Sequence, residues 1–177
     1  HLIAAEEDGR RLTTDEMVST CILLLNAGHE ATVHTVGNGT RALLAHGLRE
    51  VDERAVEEVI RWDPPLHMFT RHAYEEVEAF GHVFRRGDQV ACLLAAANRD
   101  PAAYPDPARF DPERRGPANL AFGAGIHFCV GAPLARLELL VAFQRLLARC
   151  PNLRVVEAPR YADSYHFHGL ERLVVEA

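Results

Sequence analysis

One segment concentrates residues that could do chemistry: Phe122-Gly123-Ala124-Gly125-Ile126-His127-Phe128-Cys129-Val130-Gly131, just ahead of Pro133 and a run of helical period. Proline suits the first turn of a helix, so Cys129 is expected close to a helix N-terminus. Amides there, with the positive end of the dipole, favour the thiolate, the form of cysteine that ligates a metal. Gly125 and Gly131 permit tight turns and leave room for a flat ligand against the backbone. On these residue types alone, a buried structural cysteine in a glycine-rich turn remains an open reading. A tetrahedral zinc site is poorly supported: ten histidines and four cysteines include no Cys-x-x-Cys and no His-Glu-x-x-His. A second pair, Glu58 and Arg61, stands three residues apart, a spacing that puts carboxylate and guanidinium on one helix face.

These groups need elements to hold them. Thr13 followed by Glu16 has the spacing of a capping box and predicts a helix that begins just before Met17 and runs to about His46. At ~1.5 Å per residue it would be about 50 Å long. Gly28, Gly37 and Gly39 interrupt it, and Gly28 marks either a tolerated defect or a close approach to the backbone. A second helix is expected from about Val51 to Arg61, burying Val56, Val59 and Ile60 and stopped by Asp63-Pro64-Pro65. Val77 to Ala97 reads as a small hairpin, and Asn98 to Asn119 as a long proline-rich loop that something must pin, with Arg109, Arg114 and Arg115 as candidates. The Pro133 helix reaches Arg149, and two short strand-like runs, Val155 to Val156 and Leu173 to Val175, close the chain.

The run from Phe122 to Gly131 fits Phe-x-x-Gly-x-His-x-Cys-x-Gly at every fixed position and resembles the haem-binding segment of the cytochrome P-450 family, the haem-thiolate monooxygenases. Glu58-Val59-Ile60-Arg61 resembles that family's Glu-x-x-Arg motif, and Phe110-Asp111-Pro112-Glu113-Arg114 the loop whose arginine completes the cluster. Ala27-Gly28-His29-Glu30-Ala31-Thr32 is similar to the distal motif Ala-Gly-x-acid-Thr but has Ala31 at the threonine position. That threonine helps deliver protons for O–O cleavage. Thr32 is no simple replacement, because one residue turns a helix by about 100°. The resemblance implies Cys129 as axial ligand of the iron of haem b, and Arg71 and His127 as propionate donors. Phe122, Gly125, Gly131, Ala27 and Gly28 then line the cofactor, and Glu30 and Thr32 are the proton-handling candidates. Where the family often has a further histidine, Asn119 would offer a neutral propionate contact; Leu66 to Phe69, with His67, would line the substrate side.

The fold class implied is mainly α with small hairpins, the C-terminal half of the P-450 fold. Residues 1–177 are then a single haem-binding portion of a larger catalytic domain. The resemblance implies O2-dependent oxidation of a small organic substrate with electrons from a ferredoxin-type donor. The alternative is a haem-free fragment or degenerate relative, a helical module only. A chain opening on His1, with a helix face and one edge of the haem site left uncovered, is expected to be inactive alone and open to homodimerisation.

Composition excludes other classes. The 25 acidic residues outweigh 19 basic ones, all arginine, for a net charge of −6, which argues against nucleic acid as a partner. No apolar run approaches the roughly 20 residues of a membrane helix. Four cysteines without paired spacing suggest a reducing cytoplasm and no disulfide framework.

Overall fold

Thr13 opens the first helix as its spacing predicts: its hydroxyl accepts from the Glu16 amide at 3.3 Å and the Glu16 carboxylate accepts from the Thr13 amide at 2.8 Å. The computed structural model describes residues 6, 7, 9–164 and 166–177. In it a short hairpin of β1 (Glu6–Glu7) and β2 (Arg10–Arg11) precedes α1 (Thr14–Ala45). Although α1 is one uninterrupted helix, all its buried residues, Thr35, Asn38, Gly39, Thr40, Ala42 and Leu43, lie in its second half.

That second half crosses α2 (Glu53–Trp62) and α4 (Ala132–Arg149) at Gly39. A β-carbon on Gly39 would stand 2.4 Å from Cζ of Phe143 and 2.8 Å from Cγ1 of Val59, so only glycine lets three elements meet there. Around the crossing, Leu43, Val56, Val59, Leu139, Phe143 and Leu147 form one core, which Phe110 and Ala121 extend from the loop. The second helix begins two residues later than expected, because the Asp52 carboxylate caps it by accepting from the Ala55 amide at 2.9 Å. Val51 is buried all the same, just ahead of the helix.

The hairpin expected between Val77 and Ala97 is only partly one. β4 (Val77–Ala79) pairs with β5 (His82–Phe84), but β6 (Gln89–Leu93) turns back to pair with β3 (Met68–His72), a strand the sequence reading did not delimit. β6 ends where its partner begins, at the Leu93 and Met68 pair, and the alanine-rich remainder forms a helical turn, α3 (Leu94–Ala97). At the C-terminal end β7 (Arg154–Val155) pairs with β10 (Val175–Glu176), enclosing a second, unanticipated pair, β8 (Arg160–Tyr161) with β9 (Leu170–Arg172). Each sheet has two strands, so helices carry the core.

Candidate functional site

The stretch from Asn98 to Asn119 contains no helix or strand, and a buried ionic knot holds it. Glu58 and Arg61, only 4% and 3% exposed, pair through two bonds of 2.7 Å. The remaining N–H groups of Arg61 donate to the carbonyls of Asn98 (2.8 Å), Pro107 (3.0 Å) and Arg109 (3.3 Å), so all five guanidinium donors are used. Oε1 of Glu58 also accepts from the Asp111 amide at 2.8 Å and from Nε of Arg114 at 3.4 Å. Arg114 in turn donates to the carbonyls of Pro105, Asp106 and Arg109. Of the three arginines proposed to pin the loop, Arg114 does so with its side chain and Arg109 with its carbonyl, while Arg115 is exposed.

The knot braces the cysteine loop through a relay that spacing did not reveal. Arg136 on α4 pairs with Glu57 and lies 4.6 Å over the Phe122 ring. The Asn119 amide donates to Glu57 at 3.0 Å while its oxygen accepts from the Ala121 amide at 3.1 Å. Asn119, expected as a neutral propionate contact, is engaged in this brace. Glu57 and Arg136 stand 79 residues apart, and nothing in the local pattern singles out either one.

From Phe122 the loop closes on itself. The Cys129 amide donates to the Phe122 carbonyl at 3.0 Å, and the Phe128 amide to the Gly125 carbonyl at 3.0 Å, across a 3-10 turn at Gly125–His127. Gly123 and Gly125 have φ of +70° and +67°, a region side chains rarely adopt, so both are required by the turn itself. Cys129 is a partly exposed free thiol three residues ahead of α4. Gly131, the N-cap, would bring a β-carbon to 3.8 Å from its sulfur. Ile126, Phe128, Val130, Leu134 and Leu137 around it are exposed, Ile126 at 97%.

Haem needs a thiolate, an apolar surface and fixed donors for two propionates. The loop supplies a partly exposed cysteine and the apolar surface. For the third, His127 is exposed with no hydrogen bond or ion pair among the described residues, and Arg71 on β3 donates only to the Thr70 carbonyl at 3.0 Å. Donors without carboxylate partners are what propionates require, so the residues present fit the group.

The distal segment lies in the exposed half of α1. Gly28 has nothing within 4 Å of where a β-carbon would be, and Val18, Ile22, Leu25 and Val33 are exposed along the same helix. The Thr32 hydroxyl donates to the Gly28 carbonyl at 3.2 Å, so it is tied to its own helix. No hydrogen bond, ion pair or ring contact joins residues 27–32 to the cysteine loop among the described residues; the packing of α1 on α4 at Gly39 and Phe143 holds both from behind.

His67 does not stand free. It stacks on His168 at 4.2 Å, and His168 stacks on Tyr161 at 4.2 Å. Below them Asp63 receives the Tyr161 hydroxyl at 2.5 Å, Nε2 of His168 at 3.0 Å and Nη2 of Arg41 at 3.4 Å. Burial pushes the Asp63 carboxyl up, but hydrogen bonds from His168 and Tyr161, with the charges of His168 and Arg41, outweigh it and hold the group below the usual range. Burial, then the charge of His168, keeps the His67 imidazole below the ordinary histidine value. Asp63, Tyr161 and His168 form a cluster that sequence reasoning missed, because it joins a helix end to a tail about a hundred residues later.

Residues 50–158 match the family model for cytochrome P450. The chain is 46% identical over 164 residues to cytochrome P450 monooxygenase PikC of Streptomyces venezuelae, covering 88% of this chain and 39% of that protein. Among solved structures it resembles P450BioI in complex with hexadec-9Z-enoic acid ligated acyl carrier protein (TM-score 0.88, 43% identity, 93% of this chain and 45% of that one). It also resembles the bacillaene polyketide synthase cytochrome P450 PksS of Bacillus subtilis 168 (TM-score 0.90, 38% identity, 98% and 48%). The chain thus spans less than half the length of these three relatives.

Proposed function

The chain belongs to the cytochrome P450 family, whose cofactor is haem b, and on that premise we propose that it supplies the thiolate side of a haem monooxygenase acting on a small organic substrate. The observation that supports this most is the cysteine loop: a part-exposed thiol ahead of a helix, an open apolar collar, and donors at His127 and Arg71 with no carboxylate partner. In this reading Cys129 ligates the iron, Arg71 and His127 hold the propionates, and Phe122, Gly125 and Gly131 shape the proximal surface. Ala27 and Gly28 leave the distal side open to a flat group, and Leu66 to Phe69 faces substrate.

When bound, the haem supplies the oxidising chemistry: substrate C–H, O2, two electrons and two protons give the alcohol and water. Electrons come from a ferredoxin-type donor, the supply that the resemblance to the family implies. The protein's part is positional. Its buried knot fixes the proline-rich loop, that loop and Arg136 fix Phe122, and the glycine turn then sets the cysteine amide and sulfur. No described helix is long and apolar enough to cross a membrane, and the four cysteines are free; the cytoplasmic location proposed here leans on the bacterial relatives.

The test is the absorption spectrum of the haem-reconstituted protein, reduced and exposed to carbon monoxide, beside Cys129→Ser. A red-shifted thiolate-type Soret band that vanishes in the variant is the expected result. A spectrum indifferent to Cys129, or no bound haem, overturns this reading in favour of a helical module. The exposed apolar face of α1 also offers a surface for a homodimer, which sedimentation across protein concentration checks.

A further inference from the structure

The tail hairpin of β8 and β9 is held by polar bonds rather than by the core. Among the described residues, no buried apolar side chain comes from residues 154–177. The Asp63 cluster fastens the hairpin instead. Asp63 takes the Tyr161 hydroxyl and Nε2 of His168, the His168 amide donates to the Pro65 carbonyl at 2.7 Å, and the Asn38 side-chain amide donates to the His168 carbonyl at 3.0 Å. Leu66 and Phe167 add one antiparallel bridge. The seat is shaped for bare backbone: a β-carbon on Gly169 would fall 1.8 Å from Nδ1 of His34.

Unlike the Glu58 knot, this fastening is not saturated. Oδ1 of Asn38 and Nε of Arg41 are buried with no hydrogen-bond partner among the described residues. A partly satisfied polar cluster is a weaker tie than a saturated one. It also gathers cationic and titratable groups. His67 stacks on His168, and its ring has no hydrogen bond or ion pair among the described residues. Arg41 on α1, Arg99 after α3, and His168 with Tyr161 on the tail surround Asp63. His34 and His166 flank Phe167 at 5.8 and 4.9 Å, Glu30 lies 3.8 Å from His34, and β6 brings Cys92 opposite Phe69. Within the cluster Asp63 is the one carboxylate, so a charge on His67 adds to those of Arg41 and Arg99 against a single anion.

We propose that the β8–β9 hairpin is a pH-released strap, fastened by Asp63 while His67 is neutral and let go when His67 takes up a proton. Burial and the His168 charge hold His67 below the ordinary histidine value, so the fastened state disfavours the proton. In the released state the imidazole returns towards its ordinary value of about 6.5, and the strap therefore loosens as pH falls below that value. Asp63 stays ionised through this window, because its carboxyl is held below its usual value of about 3.9. Release uncovers Leu66 and the face of α1 at His34. That it thereby opens the substrate side rests on the monooxygenase reading above; the release itself does not.

The test is amide hydrogen exchange of the protein, read by NMR as protection factors, which are already relative to the intrinsic rate at each pH. Between about pH 7.5 and about pH 5 the protection of the His168 amide falls on the order of tenfold, while that of the Phe143 amide in the core holds steady. In His67→Phe, which keeps a ring against His168 but cannot titrate, the His168 protection stays level over the same range. Gly169→Ala, which wedges the seat, already has at the higher pH the low protection that the wild type reaches at the lower one. A wild-type value that does not change, a fall that persists in His67→Phe, a parallel fall at Phe143, or full protection in Gly169→Ala each overturns the strap. The readout needs no haem, so any of these results leaves the monooxygenase reading standing, and loss of the thiolate band leaves the strap standing.

Discussion

The Glu58 knot and the Cys129 loop use similar materials, arginine beside a helix and a chain that must turn sharply, in opposite ways. In the knot every N–H of Arg61 has an acceptor, both carboxylate oxygens of Glu58 are used, and neither residue reaches solvent. In the loop His127 has no partner among the described residues, and Ile126 and Val130 project outward. A saturated polar cluster makes one geometry rigid and has nothing left to bind with. An open one contributes little to stability and keeps its donors for a ligand. Scaffold and binding surface are thus separable by asking which polar groups are already satisfied.

Four measurements bear on that contrast. The largest loss is expected for Glu58→Ala, which leaves a buried guanidinium unpaired and the Asp111 amide without its acceptor; it should cost about 3 to 5 kcal/mol in denaturant unfolding. Gly39→Ala follows at about 1 to 3 kcal/mol, since the Phe143 ring must move out of a fully packed core. A result near zero there would mean the helix crossing is looser than described.

Asp63→Asn should change a slope. The folded-state pKa of Asp63 is depressed, so its contribution is present above the unfolded value of about 3.9 and is lost as pH falls through the lower folded value. The wild-type stability curve should therefore drop more steeply than the variant's below about pH 4. Parallel curves would show that Arg41, His168 and Tyr161 do not act on the carboxylate. The smallest stability effect, within about 0.5 kcal/mol, is expected for Arg71→Gln and His127→Gln. Their haem retention on gel filtration should fall all the same, and a stability loss as large as that of Glu58→Ala would erase the contrast.

The helices were legible because each carries its own local signal. The Thr13 and Glu16 box, the Asp63-Pro64-Pro65 stop and Pro133 at the first turn act over a few residues, and the helices begin or end beside them. Strands were less so. Val90 to Ala97 is continuously apolar, and only the length of the partner strand β3 decides where pairing stops and α3 starts. At the site, Cys129, His127, Glu58, Arg61 and Arg114 stood in recognisable spacings, whereas the Glu57–Arg136–Asn119 brace, the Asp63 cluster and the Gly169 niche for His34 did not.

By itself the sequence determined the helical frame, the family, the cysteine and the absence of a hydroxyl at position 31, because those depend on residue identity and on spacings within one or two turns. Only the tertiary structure decided which charges are satisfied and which stay open, and that a histidine from the first helix nests against a glycine 135 residues later. Hydrogen-bond saturation and close packing are properties of neighbours in space, and a chain that must fold to bring residues together cannot display them along its length.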